Sequence, residues 1–292
     1  MNPPGLLFRS VAAAFRRVPH LRGRGRAETL LHRWFEGRGW SDVVDTNGYS
    51  LEVLLDDLLG RSVYLNGIWE PLNTSAMRSV MGPGDVAFDV GANSGYYALL
   101  LSRLAGPGGR VFAFEPVAST AALLRRNLAR NGAANVDVVA LALSDGDGSV
   151  HMSVSHVSNT GASHVVTLHP VEAGRLPGGV VETITAECRT GDAFWESAGR
   201  PDVRVVKADI EGHELRAVYG MRKMLATLGR AVVMLEVRDR FLRSAGGSAA
   251  ELFAVLADLG YRSFEFDPRA RRFVPNDALR DGELICFARQ EP

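Results

Sequence analysis

The densest group of reactive side chains in this sequence is the run 207–214, which reads Lys-Ala-Asp-Ile-Glu-Gly-His-Glu. The apolar stretch before it predicts a buried strand, along which alternation places Lys207, Asp209 and Glu211 on one side. A lysine and a carboxylate at a strand end can position a hydroxyl group, and either can act as a base if burial shifts its pKa toward neutrality. His213 has an ordinary pKa suited to a base, although it fits an exposed first turn of a helix equally well. The candidate catalytic residues are therefore Lys207, Asp209, Glu211 and His213.

Two other interpretations of this run stay open at the level of sequence. Glu211 and Glu214 fit a structural role equally well, because acidic residues stabilise the N-terminus of a helix such as the one predicted to follow. Glu236, which ends a later apolar strand, could join Asp209 and His213 around Mg²⁺ or Mn²⁺, since oxygen and imidazole ligands suit these ions. This spacing matches no recognised ligand pattern, so the sequence predicts no metal site.

A glycine-cornered loop lies upstream, in the segment 86–95, Val-Ala-Phe-Asp-Val-Gly-Ala-Asn-Ser-Gly. An apolar strand ends in Asp89, the chain turns through Gly91 and Gly95, and helical periodicity follows. Such a loop presents backbone N–H groups and a helix N-terminus to a ligand. A second strand ends in Glu115, where a carboxylate can accept hydrogen bonds from both hydroxyls of a ribose. The pair predicts a cofactor that contains a nucleoside.

The loop does not have the pattern of a phosphate site. A dinucleotide fingerprint needs glycine where Asn93 and Tyr96 stand, and no Gly-Lys-Ser/Thr follows for a Walker loop. S-adenosylmethionine, which carries an ammonium and a carboxylate, suits the loop better: Asp89 would accept from the amino group, the loop N–H groups would face the carboxylate, and Glu115 would hold the ribose. The predicted cofactor-binding residues are Asp89, Gly91, Ala92, Asn93, Ser94, Gly95, Glu115 and Pro116.

These motifs together resemble those of the FkbM family of S-adenosylmethionine-dependent methyltransferases, over about Asn66 to Leu259. The resemblance implies an O-methyltransferase that acts on a hydroxyl of a small natural product or sugar, with a Rossmann-like class I methyltransferase fold. It also places the adenine near Ser144 and Asp145, which join the predicted cofactor site. The matching stretches are Gly67-Ile-Trp-Glu-Pro71, Asp89-Val-Gly-Ala-Asn-Ser-Gly-Tyr-Tyr97, Phe112-Ala-Phe-Glu-Pro116, Asn127 with Asn131-Gly132, Ala142-Leu-Ser-Asp145 and the run 207–214.

The order of apolar and helical patterns predicts the elements that position these groups. Strands and helices alternate along most of the chain, which predicts an α/β fold with a doubly wound, mostly parallel sheet. Residues 136–143 predict one continuous strand, and the last strands predict an antiparallel end of the sheet. In such sheets, ligands bind beyond the carboxyl ends of the strands, where Asp89, Glu115, Asp209 and Glu236 all fall.

We divide the chain into an N-terminal extension (1–26), a helix and hairpin region (27–81) and a methyltransferase domain (82–292). The extension carries six arginines and no acid over residues 5–26, and it predicts a flexible, solvated segment; a short amphipathic helix on a membrane surface is the alternative. Asn47-Gly48 between two apolar runs predicts a β-hairpin. The segment 155–180 is rich in Ser, Gly, His and Pro and predicts a loop on the substrate side.

Composition bounds the remaining possibilities. Basic and acidic residues are equal in number at 33 each, so no overall field favours nucleic acid, and we expect a small-molecule acceptor. Two cysteines without a Cys-x-x-Cys spacing suggest reduced thiols in a cytoplasmic enzyme, and no apolar run is long enough for a transmembrane helix. A nicotinamide oxidoreductase, a binding protein that has lost catalysis and a nucleic-acid methyltransferase remain as alternatives. The oligomeric state cannot be predicted.

Overall fold

The structure, a computed structural model, describes residues 3–17, 24–35, 37–155, 164–165, 181–276 and 282–292. Helices and strands alternate along the chain, as the sequence predicts. The helices are α1 (Leu6–Arg17), α2 (Arg24–Phe35), α3 (Leu58–Asn66), α4 (Pro71–Val80), α5 (Tyr96–Ala105), α6 (Ala118–Arg130), α7 (Gly191–Ser197), α8 (Glu214–Gly220), α9 (Arg222–Thr227), α10 (Asp239–Ser244) and α11 (Ala249–Asp258). The strands are β1 (Ser41–Thr46), β2 (Tyr49–Leu54), β3 (Val86–Val90), β4 (Arg110–Phe114), β5 (Val136–Val139), β6 (Ala142–Ser144), β7 (Gly148–Ser155), β8 (His164–Val165), β9 (Val181–Thr190), β10 (Val203–Ala208), β11 (Val232–Val237), β12 (Arg262–Asp267), β13 (Arg272–Pro275) and β14 (Gly282–Ala288).

The central sheet has the order β13-β12-β14-β11-β10-β3-β4-β5. Strands β11, β10, β3, β4 and β5 are parallel, whereas β14, β12 and β13 add an antiparallel end. This confirms the predicted doubly wound sheet and its antiparallel end. The parallel strands are continuous apolar runs because helices cover both faces; every residue of β11, for example, is buried.

The predicted continuous strand over 136–143 is wrong. Strand β5 ends at Val139, Ala140 is exposed, and the chain then enters β6, which pairs with β9 in a separate four-stranded sheet. Both halves are apolar, because β5 is the half-buried edge of the central sheet and β6 is buried in the small one. An apolar run shows that residues are buried, but it does not show which neighbours bury them.

Strands β7 and β9 pair antiparallel along 148–155 and 181–188 in the small sheet. The chain between these strands includes the predicted substrate-side loop, 155–180. Of that segment, the described residues are Ser155, with its backbone alone, and the two-residue strand β8, which pairs with β7. The predicted loop therefore lies mostly outside the described residues.

The N-terminal region differs from the predicted flexible extension. Residues 6–17 form helix α1, with Ala12 buried and the Phe8 ring stacked on Trp34 of α2 at 4.2 Å between centroids. Helix α2 covers 24–35 and so begins within the predicted extension 1–26. The hairpin β1–β2 is confirmed, and Asn47 and Gly48 both have the positive φ that its two-residue turn requires. Order in α1 comes from aromatic contacts across helices, which its arginine-rich sequence does not reveal.

Candidate active site

The carboxyl ends of β3, β4, β10 and β11 open onto one cavity of about 590 Å³. This volume falls within the roughly 300–1,000 Å³ of typical small-molecule sites. Its walls come from the loop after β3, the segment after β4, the start of β6, the turn after β10 and the end of β11. Helix α3 and residues 68–71 form a further wall. The strand order therefore brings both predicted groups of residues, from 89–116 and from 207–213, to one cavity.

The end of β3 and the loop that follows it, residues 89–95, which we call the donor loop, form hydrogen bonds within themselves and to the end of β4. Each backbone N–H from Gly91 to Gly95 donates to an acceptor within the protein, so none is left to face a ligand carboxylate. The predicted role of the loop N–H groups is therefore wrong. The donor and acceptor pairs are Gly91 and Ala92 to the Phe114 carbonyl (3.1 and 3.0 Å), Asn93 to Glu115 Oε2 (3.0 Å), Ser94 to Asn93 Oδ1 (2.6 Å) and Gly95 to the Ala92 carbonyl (2.9 Å).

The glycines of the donor loop allow close packing. Gly91 has φ of +77°, and a Cβ there would lie 2.2 Å from the carbonyl oxygen of Asp209. Gly95 has φ of +98°, and its Cβ would meet Leu124 Cδ1 at 2.6 Å. At Gly91 a side chain would require the backbone to move, whereas at Gly95 it would displace the Leu124 side chain and hold a strained, positive φ. Gly91 thus brings the donor loop against the end of β10, where the candidate catalytic residues begin.

Glu115 is placed as the sequence predicts, at the end of β4 and on the cavity wall. Its carboxylate accepts from the backbone N–H of Asn93 at 3.0 Å and from that of Val117 at 2.9 Å. Burial raises the pKa of Glu115 to about 7, and these two hydrogen bonds oppose the rise. Each carboxylate oxygen has a second lone pair, so Glu115 can still accept hydrogen bonds from a ligand in the cavity.

Asp89 does not reach the cavity. Its side chain is completely buried and is absent from the cavity wall, and its closest cation is Lys207, with Nζ 3.6 Å from Oδ1. Burial raises the pKa of Asp89, and Lys207 opposes this rise. Neither carboxylate oxygen of Asp89 has a hydrogen-bond partner among the residues that the structure describes, and its contact with a cofactor amino group, directly or through water, stays a prediction. Asp89 instead lies next to the lysine that does line the cavity.

Lys207 lies at the junction of the two motifs. Its Nζ donates to the Gly91 carbonyl at 3.3 Å and lies 3.6 Å from Oδ2 of Asp209, as well as 3.6 Å from Asp89. Burial alone would lower the pKa of Lys207, but Asp209 and Asp89 together raise it above its usual value. Lys207 is therefore charged at neutral pH, so it can position an acceptor or a carboxylate but cannot take a proton.

Asp209, Glu211 and Glu236, which we call the carboxyl cluster, meet at the cavity wall. One oxygen from each lies within 4.8 Å of the others. Burial is the main cause that raises the pKa of Glu211 to about 7 and that of Glu236 to about 9, and the nearby Asp209 carboxyl group is the second cause. Arg238 donates a hydrogen bond to Glu236 at 2.6 Å. Carboxylates this close can share a proton or bind a divalent cation. Glu236 is thus part of the site, although the sequence singled it out only as a metal ligand.

His213 lines the cavity but lies apart from the carboxyl cluster, so the set Asp209, Glu236 and His213 does not form a metal site. Its Nε2 lies 3.0 Å from Ser144 Oγ, which is 3.1 Å from Asp145 Oδ1. Burial lowers the pKa of His213 to about 4, which leaves the ring neutral and weakly basic. Both features disfavour His213 as the base.

Glu214 has the structural role that was one of its two interpretations. Its carboxylate accepts from the backbone N–H groups of Ile210 at 2.9 Å and of Gly212 at 3.0 Å. These bonds hold the turn between β10 and α8. Glu211, by contrast, faces the cavity.

The stretch Ile68–Pro71 belongs to the cavity as well. Glu70 accepts a 2.6 Å hydrogen bond from the Tyr97 hydroxyl, and Tyr96 bonds to the backbone of Trp69 in both directions. The first turn of α5 therefore joins this stretch to the donor loop. The residues of α3 that line the cavity, such as Ser62 and Asn66, were not found by sequence reasoning, because no chemical motif marks them.

The four predicted catalytic residues all line the cavity. Of the ten predicted cofactor-binding residues, five line the cavity and five do not. Gly91, Ala92, Asn93, Glu115 and Pro116 are on the wall. Asp89, Ser94, Gly95, Ser144 and Asp145 lie behind it or beside it, with Ser144 buried and Asp145 paired to Arg216 at 2.6 Å on the surface. Next to Ser144, the neighbouring Leu143, Ala142 and Leu141 form an apolar part of the wall.

A family model, described as the methyltransferase FkbM domain, matches residues 89–263. The chain is 32% identical over 149 residues to hexuronic acid methyltransferase AglP of Haloferax volcanii, a match that covers 51% of this chain and 55% of that protein. It is 30% identical over 199 residues to 31-O-demethyl-FK506 methyltransferase FkbM of Streptomyces tacrolimicus, covering 61% of this chain and 73% of that protein.

Among solved structures, methyltransferase FkbM from Methylobacillus flagellatus KT is similar to 78% of this chain at 14% identity, with a TM-score of 0.41. The match includes 52% of that protein, so the chain spans about half the length of this structure and of the Haloferax enzyme. Within the described residues, no helix is long and apolar enough to cross a membrane.

Proposed function

The chain belongs to the FkbM methyltransferase family, and we propose that it transfers a methyl group from S-adenosylmethionine to a hydroxyl group of a small natural product or sugar. The observation that carries this proposal is the shared cavity. A buried carboxylate suited to a ribose, Glu115, lines the same space as Lys207 and the carboxyl cluster. A second cavity, of about 100 Å³, borders Asn93 and Ser94 but none of the residues 207–213.

The chemistry of the cavity fits a cationic methyl donor. Glu115 would hold the ribose hydroxyls, and the apolar wall at Leu141 and Leu143 would pack against the adenine. Glu70 and the carboxyl cluster give another part of the cavity wall an acidic character that favours a positive sulfonium. When bound, S-adenosylmethionine supplies a methyl group whose carbon–sulfur bond breaks as the new carbon–oxygen bond forms, and the electron pair stays on sulfur.

The chain's own residues would manage the proton and the position of the acceptor. A hydroxyl is a poor nucleophile until its proton leaves, so a base must lie close to the acceptor oxygen. We assign this proton to Asp209, because its carboxylate lies on the cavity wall 3.6 Å from Lys207 Nζ, with Glu211 and Glu236 next to it. Lys207 would orient Asp209 and the acceptor oxygen, which places the two reacting atoms in line.

The acceptor class rests on the two named relatives. One is named for a hexuronic acid and the other for 31-O-demethyl-FK506, and both names describe small acceptors that carry oxygen. O-methylation is therefore favoured over N-methylation, and a small molecule over a nucleic acid, for which the equal numbers of acidic and basic residues offer no general attraction. The free, buried cysteines Cys188 and Cys286 fit a cytoplasmic enzyme with reduced thiols.

The test combines binding and turnover. Calorimetry with S-adenosylmethionine, S-adenosylhomocysteine and NADH should show binding of the first two alone. Transfer of labelled methyl groups to a panel of uronic acids, glycosides and macrolide alcohols should then identify an acceptor. Binding of NADH alone would support an oxidoreductase instead, and binding of S-adenosylmethionine without transfer to any acceptor class would support a protein that has lost catalysis.

A further inference from the structure

Helices α1 and α2 carry a group of exposed apolar side chains. In the described part of the chain, seven large apolar residues are exposed, and five of them lie on these two helices. Leu6, Leu7 and Val11 of α1 are 82%, 71% and 38% exposed, and Leu30 and Trp34 of α2 are 67% and 44% exposed. Apolar side chains that cluster in this way mark interaction surfaces more often than scattered ones do.

Helices α1 and α2 touch through two aromatic rings in this region, which brings the exposed residues of both helices to the same part of the molecule. The Phe8 ring of α1 stacks on the Trp34 ring of α2 at 4.2 Å. Leu7 and Val11 lie one turn apart on α1, and Val11 is offset from Phe8 by about 60° around the helix. Leu30 and Trp34 likewise lie one turn apart on α2. We call these four residues, Leu7, Val11, Leu30 and Trp34, the N-terminal patch.

The surroundings of the N-terminal patch are strongly basic. Residues 1–38 contain eight arginines and two acidic residues, whereas residues 39–292 contain 25 basic and 31 acidic residues. Arg17 and Arg33 are exposed on the same two helices, and the Arg38 guanidinium lies 4.1 Å from the centre of the Trp34 ring. The whole chain has equal numbers of acidic and basic residues, but its first 38 residues are strongly basic. The exposed apolar side chains of α1 and α2 lie within this basic segment.

We propose that the N-terminal patch binds the surface of an anionic lipid bilayer, with Leu7, Val11, Leu30 and Trp34 entering the headgroup boundary and the arginines contacting lipid phosphates. Exposed leucines beside a tryptophan and arginines are the side chains that interfacial helices use. A second copy of the chain is a poorer occupant, because a symmetric contact would place two arginine-rich surfaces against each other. An anionic membrane complements both the apolar and the charged character of the patch.

Co-sedimentation of the full chain with vesicles tests this proposal. We expect binding to phosphatidylcholine vesicles that contain roughly 30% phosphatidylglycerol, little binding to pure phosphatidylcholine, and loss of binding in about 0.5 M salt. The double variant Leu7→Glu, Leu30→Glu should bind at least about tenfold more weakly, since both side chains would resist burial in lipid. The matched control is Leu72→Glu, at an exposed leucine of α4, which should bind as the wild type does.

Thermal unfolding of each variant and the elution volume of each on gel filtration complete the test. If the double variant is destabilised, Arg17→Glu with Arg33→Glu, at two exposed positions, must reduce binding to the anionic vesicles by a similar factor. Equal binding to neutral and anionic vesicles, or no binding to either, would overturn the proposal. So would a wild-type dimer that the double variant separates, because the patch would then bind a second copy.

Discussion

The donor loop and the carboxyl cluster face the same cavity, but they are built in opposite ways. In the donor loop, each N–H from Gly91 to Gly95 has an acceptor within the protein. In the carboxyl cluster, three acids crowd together, and burial with mutual repulsion raises the pKa of Glu211 and Glu236. The backbone N–H groups of the loop are satisfied within the protein, whereas the acids of the cluster are held close together at a free-energy cost. Such a difference is typical of active sites, in which a rigid backbone segment lies next to strained, reactive side chains.

The largest effect is expected where the two regions touch. In Gly91→Ala, the new Cβ would lie 2.2 Å from the Asp209 carbonyl and the residue would also hold a φ of +77°. We expect a loss of unfolding free energy of about 3 kcal/mol or more, with loss of cofactor binding. Urea denaturation and calorimetry measure the two.

Gly84→Ala separates steric contact from backbone conformation. Gly84 has φ of +85°, but a Cβ there would meet no atom within 4 Å. It should cost only about 1–2 kcal/mol, the penalty of the left-handed conformation. Equal destabilisation by the two substitutions would show that the contact between the donor loop and β10 does not restrict Gly91.

The next effect should be on turnover alone. Asp209→Asn keeps the shape of the side chain but removes a proton acceptor from the carboxyl cluster. We expect turnover to fall by about 100-fold or more, while the affinity for S-adenosylhomocysteine changes by less than about threefold. Asp202→Asn, an exposed position just before the same strand, is the control and should leave both quantities unchanged. Wild-type turnover in Asp209→Asn would remove this residue from the catalytic proposal.

In contrast to Asp209→Asn, Glu115→Gln should change cofactor affinity more than turnover. The amide keeps one acceptor oxygen but loses the charge that strengthens hydrogen bonds to ribose hydroxyls, so cofactor affinity should fall by about 1.5–3 kcal/mol. Calorimetry with S-adenosylhomocysteine measures the loss. Glu187→Gln, at an exposed position of β9, is the matched control. Unchanged affinity in Glu115→Gln would contradict the assignment of Glu115 to the ribose.

The smallest effect concerns stability and pH. The pKa of Glu236 is raised to about 9 in the folded protein, so the group favours folding fully below its unfolded pKa of about 4.5, and this contribution disappears as the pH rises through about 9. The unfolding free energy of the ligand-free wild type should therefore fall between pH 5 and pH 9. In Glu236→Gln the fall should be smaller by more than about 1.4 kcal/mol, which corresponds to one pKa unit. Identical slopes in denaturation at several pH values would contradict the raised pKa.

The same comparison explains how much the sequence could predict. The donor loop and Glu115 follow local rules, since a glycine corner after a buried strand and an acid after the next strand are visible in one stretch of chain. The carboxyl cluster depends on Glu236, which comes from a different strand, so its closeness to Asp209 requires the strand order. The extent of burial could not be predicted from the sequence either. Burial separates Asp89 from the cavity and lowers the pKa of His213, and residue type alone reveals neither effect.

Two further features were not predicted, for a related reason: residues 136–143 form two strands in different sheets, and residues 6–17 form an ordered helix. An apolar pattern predicts burial without naming the neighbour, so it could not show that β6 leaves the central sheet. For α1, the sequence allowed a short amphipathic helix as the alternative, and the apolar residues of this segment include Leu6, Leu7, Val11 and Phe15. The structure leaves the first three of these exposed and packs the helix through Phe8 and Ala12.

A crystal structure of the protein with S-adenosylhomocysteine tests the central claim most directly, namely that the donor lies between Glu115 and the carboxyl cluster. We predict both ribose hydroxyls within about 2.5–3.0 Å of the Glu115 carboxylate, the adenine against Leu141 and Leu143, and the sulfur at the end of the cavity beside Lys207 and Asp209. A ribose that contacts neither oxygen of Glu115, or a sulfur at the end of the cavity away from Asp209, would contradict the account.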